Sequence, residues 1–116
     1  MRAMLLAFVT GAALACALAP LAAKTGDSAV EIDNFVFGPE RLVVKAGTTV
    51  TWTNRDDIPH TVASKERLFK SKAMDTDDSY SFTFTTPGEF AYFCSLHPHM
   101  TGIIVVQGVA GSGATQ

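Results

Sequence analysis

The sequence predicts an all-β protein folded as one antiparallel β-sandwich of seven to eight strands. Three observations predict it: apolar and polar residues alternate with a period of two in several short stretches, turn residues separate those stretches, and no helical periodicity follows the N-terminal segment. The chain has 116 residues, of which 47% are hydrophobic, so it can form one small domain with a core but not two.

Seven segments are predicted as strands, taken in chain order. They are residues 30–35, 41–45, 48–54, an extended piece opening at 60–63, then 79–84, 89–94 and an apolar terminal strand at 102–107. We expect 89–94 to return as the partner of 79–84 after the turn residues Thr86-Pro87-Gly88. Residues 65–78 are too polar and irregular to assign, and Leu68 and Phe69 are expected to anchor them to the core.

Both ends of the chain are predicted to lie outside the domain. Residues 1–23 have the features of a signal peptide: Arg2 gives a positive start, an apolar run follows, and small residues lead to Ala23, where we expect cleavage. The apolar run is shorter than the roughly 20 residues of a spanning helix, so we expect periplasmic export with no stable membrane span. The domain is then 24–108, and 109–116 form a flexible tail rich in Gly.

The charge balance excludes some classes of partner. The net charge is -2 at a pI of about 5.8, and no block of basic residues suggests nucleic acid or an anionic membrane surface as a partner.

The most informative stretch runs from Cys94 to Met100 and offers a thiol, two imidazoles and a thioether. Once Cys16 is cleaved off, Cys94 is the lone cysteine of an exported chain, where thiols normally pair. It is therefore an intermolecular bridge, an inert buried thiol or a metal ligand, and its neighbours favour the ligand. We expect His97-Pro98-His99-Met100 to form a type I turn that draws His97 and Met100 together.

A fourth ligand must come from another loop, and His60 at the start of an extended segment is suited to supply it. The predicted metal ligands are His60, Cys94, His97 and Met100. One thiolate, two imidazoles and a weak thioether are the ligands of blue-copper electron-transfer sites. Zinc is the competing metal, but it has no use for a thioether. Asn54, Thr61 and the backbone amides after Cys94 are candidates to orient these ligands and to donate to the sulfur.

Five segments together resemble the cupredoxins, and among them the amicyanins. They are Val50 to Arg55, Ile58-Pro59-His60, Tyr80 to Phe84, Thr86-Pro87-Gly88 and the C-x-x-H-x-x-M run from Cys94 to Met100. The resemblance implies a Greek-key sandwich, a single type 1 copper ion alternating between Cu(I) and Cu(II), and periplasmic electron shuttling. It also implies redox protein partners, which for amicyanins are methylamine dehydrogenase and a c-type cytochrome, and makes His97 the partly exposed ligand. We expect the protein to be a monomer.

Two positions depart from the amicyanin pattern. Thr61 stands where those proteins commonly carry an Asn that braces the Cys loop, and His99 stands where they carry an apolar aromatic residue. We expect His99 to be an exposed turn residue rather than a ligand. Two functions stay open at this stage: a redox carrier, or a copper-binding module for storage, delivery or resistance. An enzyme is not expected, because the four ligands leave no open copper position for a substrate.

Overall fold

The computed structural model describes residues 26–108, which form eight β-strands. The strands are β1 (Asp27–Asp33), β2 (Val36–Gly38), β3 (Arg41–Lys45), β4 (Thr48–Asn54), β5 (Ala63–Ser64), β6 (Ser79–Phe84), β7 (Gly88–Cys94) and β8 (His97–Gln107). The predicted signal peptide lies outside the described residues, as does the tail 109–116. Within the described part of the chain, no helix is long and apolar enough to cross a membrane.

The strands form two sheets of four, in the orders β2-β1-β4-β6 and β3-β8-β7-β5. The prediction of an all-β sandwich is confirmed. Both sheets are mixed, because β1 pairs with β4 and β3 pairs with β8 in parallel, whereas the other pairs are antiparallel. Periodicity identifies strands but carries no information about the direction of their partners, which is why the parallel pairs were not foreseen.

Strand β4 shows how the alternating sequence produces the two faces of a sheet. Val50, Trp52 and Asn54 point inward and are fully buried. The intervening threonines of β4 point outward, where their hydroxyls hydrogen-bond to those of Thr83, Ser81 and Ser79 on β6 at 2.7 to 3.0 Å. The inward residues join a core that both sheets share and that positions the site at one end of the sandwich.

The expected pairing of β6 with β7 is wrong. β6 pairs with β4 in one sheet, whereas β7 pairs with β8 and β5 in the other, so residues 85–87 carry the chain between sheets. The aromatic rings of Phe84 and Phe90 stack across the core, with centroids 5.5 Å apart. Packing between the two sheets therefore replaces the expected hairpin.

The irregular segment 65–78 is anchored to the core by Phe69 and Met74, and not by Leu68. Phe69 is buried as predicted, with its ring stacked 5.9 Å from that of Trp52. The prediction for Leu68 is wrong, because its side chain is 51% exposed. Leu68 lies in a bend that follows the turn at residues 65–66, and its side chain faces solvent, whereas the next residue, Phe69, enters the core.

Candidate metal centre

Three parts of the chain meet at one end of the sandwich and supply the four predicted ligands. His60 lies between β4 and β5, Cys94 ends β7, and His97 and Met100 lie at the start of β8. One ligand atom from each of His60, Cys94 and His97 lies within 4.8 Å of the others. His60 and Cys94 are fully buried, Met100 is 6% exposed, and His97 is half-buried. The site is therefore closed on the core side and reaches the surface at His97.

The hairpin that joins β7 to β8 brings Cys94 and His97 together. These two residues pair directly, and the turn between them consists of Ser95 and Leu96. The predicted type I turn over 97–100 is wrong, because β8 already begins at His97. Three residues of β8, from Pro98 to Met100, instead form a bulge opposite the link between Phe93 and Cys94. A bulge re-aims side chains and tolerates Pro, so it buries Met100 at the same end of the sandwich as His97.

His60 is fixed by backbone hydrogen bonds on both sides of its peptide unit. Its N–H donates to the Met74 carbonyl at 3.2 Å, and its carbonyl accepts from the Met74 N–H at 2.8 Å. Asn54, fully buried beneath this loop, donates to the carbonyls of Ile58 and Met74 at 2.9 Å each and accepts from the Asp56 N–H at 2.9 Å. Asn54 thus shapes the loop that carries the ligand, and its side-chain hydrogen bonds go to this loop and not to the sulfur.

Asp56 orients the imidazole of His60 and is a functional residue that the sequence analysis missed. Its carboxylate lies 2.8 Å from Nε2 of His60, and Nδ1 of the same ring faces Cys94 Sγ at 3.8 Å. Burial acts to raise the pKa of the Asp56 carboxyl, but hydrogen bonds from the Phe35 amide, His60 and the Asn34 amide outweigh it and lower that pKa overall. The ionised carboxylate therefore accepts the Nε2 proton, which leaves Nδ1 available to a metal.

A carboxylate four residues before a predicted histidine ligand was the available signal. Metal-bound histidines commonly donate their second ring nitrogen to a carboxylate, and the loop before His60 carries both Asp56 and Asp57. Sequence alone does not say which of the two reaches the ring.

Phe35 is the second residue that the sequence analysis missed. Its ring packs edge to face with the imidazoles of His60 and His97, with centroids 5.2 and 5.0 Å away. Asn34 and Phe35 form a two-residue turn with φ angles of 54° and 61°, an uncommon conformation for Phe. The Asp56 carboxylate accepts both of their amides, at 2.8 and 2.9 Å. Asp56 therefore holds a ligand and the aromatic residue that contacts it.

Thr61 supplies the hydrogen bonds around the sulfur. Its N–H donates to Cys94 Sγ at 3.3 Å, and its hydroxyl lies 3.7 Å from the same atom. The Ser95 amide donates to that hydroxyl at 2.7 Å instead of to the sulfur, so the expectation that amides after Cys94 reach Sγ is wrong for Ser95. The Ser95 hydroxyl also lies 2.8 Å from that of Thr61. Thr61 thus braces the Cys loop despite its short side chain.

His99 is exposed, as predicted, and does not join the ligand group. It lies in the bulge between Pro98 and Met100, where its ring reaches solvent rather than the buried cluster. The exposure prediction is therefore confirmed, although a bulge rather than a turn accounts for it.

The donor set suits copper better than zinc. A closed zinc site takes four strong nitrogen, sulfur or oxygen ligands. Among residues 26–108, the group around Cys94 contains one thiol and two imidazoles but no carboxylate, and Asp56 is occupied with the outer nitrogen of His60. The remaining soft donor is the buried thioether of Met100, which matches the weak axial ligand of a blue-copper site.

Comparison with known proteins agrees with this geometry. A family model described as a cupredoxin-like domain matches residues 3–106. The chain is 38% identical over 93 residues to amicyanin of Paracoccus denitrificans, covering 74% of this chain and 71% of that protein. It is 36% identical over 112 residues to amicyanin-alpha of Methylorubrum extorquens, covering 90% of this chain and 94% of that protein.

Solved structures give the same result. A purple cupredoxin from Nitrosopumilus maritimus superposes with a TM-score of 0.67 at 32% identity, covering 69% of this chain and 99% of the other. An oxidised mutant of amicyanin superposes with a TM-score of 0.65 at 36% identity, covering 69% of this chain and 81% of the other. With its two-sheet fold and its Cys-His-His cluster, the chain belongs to the cupredoxin family, and within it is most similar to the amicyanins.

Proposed function

We propose that this protein is a blue-copper electron carrier that binds one copper ion through His60, Cys94, His97 and Met100. The observation that carries the proposal is the cluster of one buried thiol and two imidazoles, with ligand atoms within 4.8 Å, at the end of a cupredoxin sandwich. Similarity to amicyanins and plastocyanins supports electron transfer and not an enzymatic reaction. Copper, when bound, supplies a one-electron couple between Cu(I) and Cu(II).

The protein chain holds the ligands of the copper ion rigidly. Rapid electron transfer requires ligands that move little when the charge of the metal changes. His60 is fixed by Met74 and Asp56, and Cys94 Sγ accepts the N–H of Thr61. Hydrogen bonds to a thiolate favour its ionised form and tune the reduction potential of the bound metal. The core side of the site is thus preorganised before a metal enters.

The surface around His97 is the proposed point at which electrons enter or leave. His97 is half-buried, and the side chains of Phe35 and Leu96 beside it are 47% and 49% exposed. Apolar side chains around His97 exclude water when a partner protein docks, which shortens the distance between the two redox centres. Proximity to Phe35 also limits the directions in which the imidazole can turn.

The proposal also includes export to the periplasm and two redox partner proteins. The signal-peptide features of 1–23 and the similarity to amicyanins support a periplasmic protein with the domain 24–108. The same similarity supports a dehydrogenase as electron donor and a c-type cytochrome as acceptor.

A visible spectrum and a redox titration of the copper-loaded protein test the function. We expect an intense thiolate-to-copper band and a reversible one-electron couple, both lost in Cys94→Ser. His99→Ala is the matched control and should keep the band, because His99 is exposed and outside the cluster. A colourless Cu(II) form of the unmodified protein would refute the proposal. Rapid transfer of Cu(I) to a competing chelator would favour a copper-delivery module instead.

A further inference from the structure

A basic groove lies beside the hairpin that carries Cys94. It has a volume of about 610 Å³, and its lining includes Lys65, Arg67 and Lys70 together with Phe93 and Ser95, but no acidic residue. All three cationic residues are exposed. The groove is therefore a positively charged surface next to a ligand, separate from the exposed edge at His97.

The charge of this surface is opposite to that of the rest of the domain. Residues 26–108 contain seven Lys and Arg against eleven Asp and Glu, a net charge of -4. Four of the seven cations lie within residues 65–72, where Glu66 is the one acidic residue. Among the ion pairs formed within 26–108, none involves these four cations. Their charge is thus available to a partner rather than neutralised internally.

The loop that presents these cations is held in place by hydrogen bonds. The Arg67 amide donates to the Ser64 carbonyl at 3.0 Å, and the Glu66 amide donates to the Ser64 hydroxyl at 3.1 Å. The Lys65 amide donates to the Ala91 carbonyl of β7 at 2.9 Å. Arg67 itself has a φ of 65°, which a non-glycine residue adopts only when its surroundings enforce it. The loop backbone is therefore preformed, and binding need not order it.

The groove is also close to the metal centre along the chain. Side chains alternate along β7, so Tyr92 and Cys94 point into the core and Phe93 points outward. Phe93 and Ser95, the two neighbours of Cys94, both line the groove. A molecule bound in the groove therefore contacts residues on both sides of the sulfur ligand in the chain.

We propose that this groove docks the acidic surface of a redox partner protein, an inference that rests on the function proposed above. Clustered unpaired cations attract a partner of opposite charge over a distance of about one Debye length and orient it before contact. Leu68, 51% exposed in the same loop, adds an apolar contact of the kind that protein interfaces use. A macromolecular partner fits the open, exposed setting of the cations better than a small anion, which requires buried donors that converge on it.

Amide NMR titration of the purified protein tests the proposal. The probe is cytochrome c with succinylated lysines, which is acidic, and the comparison is the same cytochrome unmodified, which is basic. We expect the acidic form to shift amides of 64–71 and 92–95 and to dissociate as salt is raised to about 0.5 M. The net charge of -4 alone predicts that the protein binds the basic cytochrome more tightly than the acidic one. Shifts confined to 96–99, or produced by the basic form alone, would overturn the proposal.

Charge reversal at two matched lysines sharpens the test. Lys70→Glu places a negative charge in the groove and should weaken binding of the acidic cytochrome about tenfold at low salt. Lys45→Glu makes the same change at the end of β3, where Lys45 pairs with Gln107 and does not line the groove, and it should change binding less than twofold. Equal effects of the two variants would overturn the proposal. The titration is run on metal-free and copper-loaded protein, so docking is measured even if copper binding or redox activity fails.

Discussion

The two sides of the metal centre are held by different forces. On one side, His60 lies in a loop whose polar groups are paired: Asn54 makes three hydrogen bonds beneath it, and Asp56 takes its outer nitrogen. On the other side, Cys94 and His97 lie on a hairpin with a two-residue turn and a bulge, and the buried ring of Tyr92 on β7 packs against those of Phe37 and Trp52 in the core. The hydroxyl of Tyr92 has no hydrogen-bond partner among residues 26–108.

This difference shows how one site combines a fixed ligand with an accessible one. A polar network determines the position of His60 because each buried group has a partner that it would lose on moving. The hairpin is positioned by packing and strand pairing, which leaves the outer face of His97 open to solvent. Thr61 connects the two sides, since it follows His60 and bonds to Cys94 and Ser95.

Removing the polar network should have the largest effect on stability. Asn54→Ala deletes three hydrogen bonds: the Ile58 carbonyl and the Asp56 amide lose their partner, and the Met74 carbonyl keeps only the N–H of His60. Since each buried unsatisfied group costs about 1–3 kcal/mol, we expect a loss of about 4 kcal/mol in the free energy of unfolding of the metal-free protein. Urea denaturation followed by tryptophan fluorescence measures it.

Thr53→Ala is the matched control for Asn54. It lies one residue earlier on β4, and its hydroxyl pairs with Ser79 on the outer face at 3.0 Å. Solvent can replace that bond, so the cost should stay below about 1 kcal/mol. Equal losses in the two variants would show that the Asn54 network does not stabilise the loop.

High pH should act on the hairpin side. Burial raises the pKa of Tyr92 to about 12, with smaller contributions from Trp52, which lowers it, and Glu40, which raises it. The unfolded chain ionises near the ordinary value of about 10, so stability is complete below that pH and falls as pH rises toward 12. A difference of two pKa units between the folded and unfolded states corresponds to a loss of about 3 kcal/mol in the free energy of unfolding. Thermal unfolding at each pH measures the loss of stability, and tyrosinate absorbance measures the pKa of Tyr92.

Tyr92→Phe isolates this effect. The hydroxyl has no partner among residues 26–108, so the variant should be nearly as stable as the original protein at neutral pH. Its stability should then fall much less between about pH 10 and 12, with Tyr80, whose pKa burial also raises, as the remaining contributor. An unchanged alkaline transition in this variant would contradict the assignment to Tyr92.

Sequence predicted most of the fold and the ligands, but not what holds the ligands. The alternation of β3, β4 and β6 gave their bounds as the structure has them, because period two depends only on which face is buried. The transfer of β7 to the second sheet, the bulge after His97 and the contact of Phe35 depend on distant partners, about which local pattern carries no information. The Asp56 carboxylate also binds the amides of Asn34 and Phe35, which lie more than 20 positions away in the chain, so local sequence could not predict this contact.

Cutting the link between the two sides should reduce stability less than removing the Asn54 network or ionising Tyr92, and it should also have a distinct effect on the metal. Thr61→Val keeps the shape of the side chain and the N–H that donates to Cys94 Sγ, but leaves the Ser95 amide without its acceptor. We expect a loss of about 1.5 kcal/mol in the metal-free protein, less than for Asn54→Ala. The copper-loaded form should show a shifted visible band and reduction potential, because the loop that positions the sulfur relaxes. Thr61→Ser retains the hydroxyl and should restore both the visible band and the reduction potential. A purely structural role for Thr61 would instead lower stability and leave the band and potential of both variants unchanged.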